Sequence, residues 1–227
     1  MALRAVIERW SSENILYVCE LPGCVVSART LDTALAAAPD AIRAYMRWAH
    51  ARGIALPPLD GVALTVIEEG PSAQRGIGPF FSTDNGVVTA PDFERALAVC
   101  RAARDDLITL YQQADARQQA FKRSDDEWSA FEVMQHVAAM DLWYSTRTLS
   151  RYVEEPVYTL PRDAVDAVRF AAECAEFTLR DVYEHRPGAR FERDDEEWSL
   201  VKLIRRRAGH LREHYPQLLL AVRQRML

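Results

Sequence analysis

The spacing of apolar residues changes once along this chain, and that change limits its fold more than any other feature. Up to about residue 70, short runs of strand formers alternate with turn residues; after Pro91, apolar positions recur at helical spacing. LRAVIER (residues 3–9) and ILYVCEL (15–21) form a predicted hairpin about the turn residues SSEN. Pro22-Gly23 turns the chain into a third short strand, residues 24–28. Thr30 is a natural N-cap for a helix over residues 31–53, with Leu31, Leu35, Ala38, Ile42, Tyr45 and Ala49 on one stripe. Pro39 predicts a kink or break in that helix, and Gly53 ends it. VALTVIEE (62–69) is a fourth strand. The expectation for residues 1–70 is a small β-β-β-α-β domain with its helix on one sheet face.

Residues 71–90, which include Pro71, Gly76, Gly78, Pro79 and Gly86, are the expected linker, and Phe80-Phe81 and Val87-Val88 give it a side that packs. Residues 91–227 read as an all-α, up-down four-helix bundle, so the whole chain is an α+β multi-domain protein. The first helix, about 91–115, aligns Phe93, Leu97, Cys100, Leu107 and Tyr111. The second, about 129–150, aligns Val133, His136, Val137, Met140, Trp143 and Tyr144. The third, about 162–185, aligns Val165, Val168, Ala172, Ala175, Leu179 and Val182. The fourth, about 199–226, aligns Leu200, Leu203, Leu211, Leu218 and Val222.

Chemistry concentrates in three histidines of this half. His210 and His214 stand four apart on the last helix, so both imidazoles point the same way. His136, from a facing helix, supplies a third neutral nitrogen donor. Three such donors suit Zn, Ni, Fe or Cu and leave a coordination position open, as in catalytic rather than sealed structural sites. Glu213 adjoins His214 as a candidate general base or orienting partner, against the plainer reading of a surface residue on a long helix. Trp143, Tyr144 and Arg147 follow His136 on its helix and are candidates to line a substrate cleft, with core packing the alternative. His50 and His185 lie at helix C-termini and read as structural.

A formal net charge of -5 argues against a dedicated nucleic-acid binder. Lys202, Arg205, Arg206 and Arg207 span most of a helix circumference and read as a solvated polar face. Cys19, Cys24, Cys100 and Cys174 form no CxxC pair and fit buried thiols in a reducing compartment. No apolar run approaches a membrane span, and the expected location is the cytoplasm. SDDEWSAFEVMQH (124–136) echoes RDDEEWSLVKLIRRRAGH (193–210): an acidic run leads to Trp-Ser and a helix, with Ser129 and Ser199 as caps, a likeness that good capping chemistry alone also produces.

Trp128-Ser129, His136 seven residues after that serine, Asp141, and the His210/His214 pair together resemble the DinB/YfiT-like family over about residues 91–227. The resemblance implies a four-helix bundle with a three-histidine site at His136, His210 and His214, a divalent metal (Zn or Ni), a small-molecule substrate, use of a low-molecular-weight thiol in some members, and a homodimer. It implies thiol transfer or hydrolysis as the reaction. YVCELPGCVVSARTLDTALAAAPDAIRAYMRWAHARGIALPP is similar to HicB-like domains, over about residues 3–70. Those domains serve mostly as antitoxins, and no DNA-binding tail of that kind follows here. Two other readings therefore stand beside the enzyme: a non-catalytic binding protein that engages a protein partner through the N-terminal module, and an antitoxin-like regulator.

Overall fold

The computed structural model describes residues 2–72, 78–149, 154, 156 and 158–223. Its first part is a four-stranded mixed sheet. Strands β1 (Leu3–Arg9), β2 (Asn14–Val18) and β3 (Val25–Ala28) form an antiparallel meander, and β4 (Leu64–Pro71) pairs parallel with β1. The spatial order is β3-β2-β1-β4, so β3 and β4 are the outermost strands. Helix α1 (Leu31–Ala51) connects β3 to β4 and is capped by the Thr30 hydroxyl, which accepts from the Thr33 amide.

Pro39 does not break α1. A proline removes the hydrogen bond to the carbonyl four residues back, here that of Leu35. Leu35 lies on the exposed side of the helix, where a freed carbonyl costs little. The buried stripe is accordingly Ala34, Ala38, Ile42, Tyr45 and Ala49.

Four long helices follow: α2 (Ala90–Gln112), then, after the one-turn α3 (Ala116–Ala120), α4 (Ala130–Thr146), α5 (Ala164–His185) and α6 (Leu200–Arg223). Helix α4 packs on α5 and α6, and α2 packs on α6 and α5. The apolar stripes expected for α2 and α5 are buried throughout. Thr89, Ser129 and Asp163 cap α2, α4 and α5, each accepting backbone N–H groups of the first turn. The Ser199 hydroxyl does the same for the Lys202 amide at the start of α6. The expected ends of the second and fourth helices, residue 150 and residues 224–226, lie outside the described residues, as does Gly76 of the expected linker.

A hairpin interrupts the helical half where the sequence suggested only a helix cap. Strands β5 (Phe191–Arg193) and β6 (Glu196–Trp198) pair antiparallel about Asp194-Asp195. Both aspartates are left-handed, with φ of 54° and 60°, as a two-residue type I′ turn requires. The hairpin ends Trp198–Ser199 differently from Trp128–Ser129: Trp198 is fully buried and Trp128 is 41% exposed.

One apolar cluster runs through both halves, joining Leu3, Ala5 and Ile7 of β1 to Ile42 of α1, Leu107 of α2, Val137 of α4 and Leu211 of α6. The other face of β1 and β2 is also covered. Val6, Ile15 and Tyr17 pack there with Phe81, which precedes a 3-10 turn at Ser82–Asn85. Helix α6 approaches the same face at Gly209, where a Cβ would sit 2.9 Å from the Tyr17 ring and 3.2 Å from Val25. The Gly23 turn meets α6 in the same way, at Ala208 and Arg212.

The cations of α6 correct the solvated-face expectation. Lys202, Arg205, Arg206 and Arg207 are all buried, with at most 9% of any exposed. Each has an acidic partner from another element: Glu196 for Lys202 at 2.8 Å, Asp84 for Arg205 at 2.7 Å, Glu8 for Arg206 at 2.7 Å and Asp141 for Arg207 at 3.0 Å. Cations enter an interior only when paired and hydrogen-bonded, and here each pair joins α6 to a different neighbour. The sheet, the segment after it, the hairpin and α4 are all fastened to one helix.

Candidate metal centre

Helices α4 and α6 bring the three histidines together. His136 is nearly two turns inside α4, downstream of the Ser129–Glu132 capping box. His210 and His214 are successive-turn neighbours on α6. The Arg207–Asp141 pair fixes the separation of these helices at the same level. Its two parallel contacts, Nε to Oδ1 and Nη2 to Oδ2, are both 3.0 Å. Arg207 precedes His210 by three residues and Asp141 follows His136 by five, so the pair braces both ligand-bearing turns.

His136 Nε2 lies 3.1 Å from His210 Nε2, which lies 2.8 Å from His214 Nε2. One nitrogen of each ring lies within 4.8 Å of the others. Hydrogen bonding among the rings does not account for this. The His214 Nδ1–H donates to Gln217 Oε1 at 2.6 Å, which leaves His214 Nε2 as a lone pair. His210 Nε2 then has a single site, a proton or a lone pair, to serve two close nitrogens. At least one nitrogen is left without a partner among the three rings. One cation shared by three lone pairs satisfies all of them.

The spacing agrees. Two nitrogens each ~2.0–2.1 Å from one ion are about 2.9 Å apart at a right angle and about 3.4 Å apart at the tetrahedral angle. The donors are also in the correct protonation state. Burial holds His136 below the usual imidazole range. Burial, then the neighbouring rings of His214 and His136, then the Arg206 charge, hold His210 well below it. Burial pushes His214 down to about 4. All three are neutral at pH 7, as metal ligands must be. Gln217 is the orienting partner for His214, whereas His210 Nδ1 is enclosed with no partner among the described residues.

Trp128 stands against His136 with ring centroids 4.6 Å apart, forming a half-open apolar wall beside the donors. Tyr144 closes the inner side, 2% exposed and 5.9 Å from the His210 ring between centroids. Trp143 and Arg147 face the hairpin instead. The Arg147 guanidinium stacks on Trp143 at 4.3 Å and pairs with Asp194 at 2.5 Å, and Trp143 packs on Trp198. Glu213 is partly buried on the sheet side of α6; burial, then Glu13, push its carboxyl up to about 7.

Sequence reasoning missed Gln217 and used Trp128 only as a helix-start marker. Gln217 did carry a signal, since it falls three residues after His214 on the same helical face. The four cysteines are free, and burial raises the thiols of Cys19, Cys24 and Cys100 to about 11, 12 and 11. No helix among the described residues is long and apolar enough to cross a membrane. A cavity of about 500 Å³ lies elsewhere, between the LPGC turn, the 3-10 turn and the start of α6, and shares no lining residue with the histidines.

Compared with known proteins, the chain matches no family model, no curated protein and no solved structure. The three-histidine cluster therefore stands on its own geometry.

Proposed function

We propose that this chain is a divalent-metal-dependent enzyme of the DinB/YfiT-like type, acting by thiol transfer or hydrolysis on a small molecule. The observation that carries the reading is the convergence of three neutral imidazole nitrogens that cannot satisfy one another. Three protein ligands leave room for a further ligand, which distinguishes a working site from a sealed one. His136, His210 and His214 would hold a Zn or Ni ion, which would supply Lewis acidity able to bring the pKa of a thiol or water to about 7.

The chain's own residues do the rest. Gln217 fixes the tautomer of His214, and the Arg207–Asp141 pair sets the distance between the two ligand-bearing helices. Trp128 shields one side from water and offers an apolar face to a substrate. Glu213, next to His214 and partly buried, is assigned the role of proton acceptor through its carboxylate oxygens. The HicB-like resemblance of the sheet is read as a reused module whose partner is the bundle of the same chain, since α6 covers the face that carries Tyr17.

The test is the metal content of purified protein, compared with a His136→Ala, His210→Ala double variant. About one equivalent in the native chain and almost none in the variant is expected. Equal content in both ends the proposal.

A further inference from the structure

The cavity beside the LPGC turn encloses about 500 Å³, within the ~300–1,000 Å³ of small-molecule sites. Its walls come from separate stretches of chain, each held from behind. The Pro22-Gly23 turn is seated on α6, since a Cβ at Gly23 would come within 3.1 Å of the Ala208 carbonyl oxygen. The 3-10 turn is pinned through Asp84. Its backbone carbonyl accepts from the Ser199 hydroxyl at 2.6 Å, and its carboxylate accepts from the Phe81 amide and the Arg205 guanidinium. The Pro57-Pro58 stretch follows Ala55, whose carbonyl accepts from Arg95 Nε at 2.8 Å, and each proline fixes its own backbone. Walls braced in this way resist collapse into the space between them. Val87, which also lines the cavity, is 73% exposed, so the space is reached from solvent.

The charged side chains of the wall match one another. Arg205 pairs with Asp84 at 2.7 Å, Arg4 with Glu20 at 2.7 Å and Arg95 with Asp92 at 2.6 Å. Among the described residues, the lining therefore holds no surplus charge of either sign for a ligand to meet. Pro22, Pro57, Val88, Val201 and Ile204 supply apolar surface between the pairs. Cys19 and Cys24 add two thiols that burial raises to about 11 and 12, so both are uncharged at pH 7 and present polarisable sulfur. An ion entering this space would shed its hydration without gaining a partner, whereas an apolar molecule gains by leaving water.

We propose that this cavity is a second ligand site, which takes an uncharged, mainly apolar small molecule. It shares no lining residue with the three histidines and does not depend on a metal there.

The experiment titrates the full chain, in chelator, with N-phenylnaphthylamine, an uncharged fluorophore that brightens on leaving water. Its counterpart anilinonaphthalene sulfonate has the same rings and one negative charge. The native chain should bind about one equivalent of the neutral probe saturably, and the sulfonate about tenfold more weakly or worse, because its charge finds no free partner. Val201→Trp and Cys19→Trp fill the space from different walls, and each should weaken the neutral probe about tenfold or more. Circular dichroism reports whether each variant folds, and either one suffices where the other does not. Phe177→Ser removes an aromatic ring that is 75% exposed on α5, outside the cavity lining, and should bind within about twofold of native. The proposal is overturned by a native chain that shows no saturable binding, or by native-like binding in a folded Val201→Trp or Cys19→Trp variant. Tighter binding of the sulfonate than of the neutral probe also overturns it, as does a loss in Phe177→Ser as large as that in the filled variants. The comparison of the two probes on the native chain decides the ligand class whichever variants fold.

Discussion

Replacing Asp141 by Ala tests the view that α6 is held by buried charge pairs. Asp141 and Arg207 are both almost completely enclosed, joined by two 3.0 Å contacts. Without the carboxylate, the hydrogen bond left to Arg207 among the described residues is a marginal one to the Ala172 carbonyl at 3.5 Å. Stranding a buried guanidinium costs about 3–5 kcal/mol. For a chain of 227 residues, each kcal/mol moves the melting temperature by about 2–4 °C, so Asp141→Ala should melt roughly 6–20 °C below native. The melt is followed by circular dichroism in chelator, so that metal does not contribute. The paired change Asp141→Leu with Arg207→Met removes both charges and should recover most of the loss, because apolar replacements of buried pairs are often neutral or better. A drop of less than about 3 °C in the single variant would refute the reasoning, since it would mean that the pair is effectively solvated.

Gln217→Ala removes the acceptor for His214 Nδ1–H and should weaken Zn²⁺ binding about ten- to a hundredfold in a chelator competition, while the melting temperature of the apo-protein stays within about 2 °C of native. Proton competition for the metal should set in only well below the ordinary imidazole value of 6.5, because burial lowers all three rings and takes His214 to about 4; a binding midpoint at 6.5 would contradict this. Apo-protein stability should respond to acid through two opposed groups. As pH falls from 6.5 toward 4, the unfolded chain takes a proton at His214 that the folded chain refuses, which destabilises. As pH falls from 7 toward 4.5, folded Glu213 takes a proton before its unfolded counterpart, which stabilises. Glu213→Gln should therefore show a steeper loss of stability between pH 7 and 5 than native, and parallel curves would count against the burial of Glu213. Gly209→Ala pushes a methyl group into Tyr17 and should cost about 1–2 kcal/mol, whereas Gly188→Ala, which meets nothing within 4 Å, should be near neutral; equal melts would mean that α6 does not seat on the sheet.

The sequence was most legible where a local rule acts. Strand β1 follows from LRAVIER, α1 from its Thr30 cap, and α2 and α5 from apolar stripes that are buried throughout. The histidine cluster was legible for the same reason: His210 and His214 are related by helix geometry alone, and only His136 needed the fold to bring it near. What stayed hidden is non-local. A lysine and three arginines on one helix default to water, and nothing near them in sequence reveals Glu8 or Asp84, whose partners on α6 lie 198 and 121 residues away. The β5–β6 hairpin was hidden by competition between two signals. The acids before Trp198-Ser199 suit a helix start, yet Asp194-Asp195 also tolerates the left-handed turn that the hairpin uses. Gln217 was legible by spacing but carries no chemistry until His214 is recognised as a ligand.

The outermost strands bear on behaviour at high concentration. Open strand margins are where chains recruit one another into fibrils. Here β3 is only four residues long, and β4 carries Glu68 and Glu69 and closes on Pro71, which has no amide proton to donate. Short length on one side, and on the other a strand whose Glu68 is held by Ser82, whose Glu69 is paired with Arg9 and whose last residue lacks an amide donor, make each margin a poor template, which should keep the folded protein dispersed at concentrations where a bare sheet of this size would accrete.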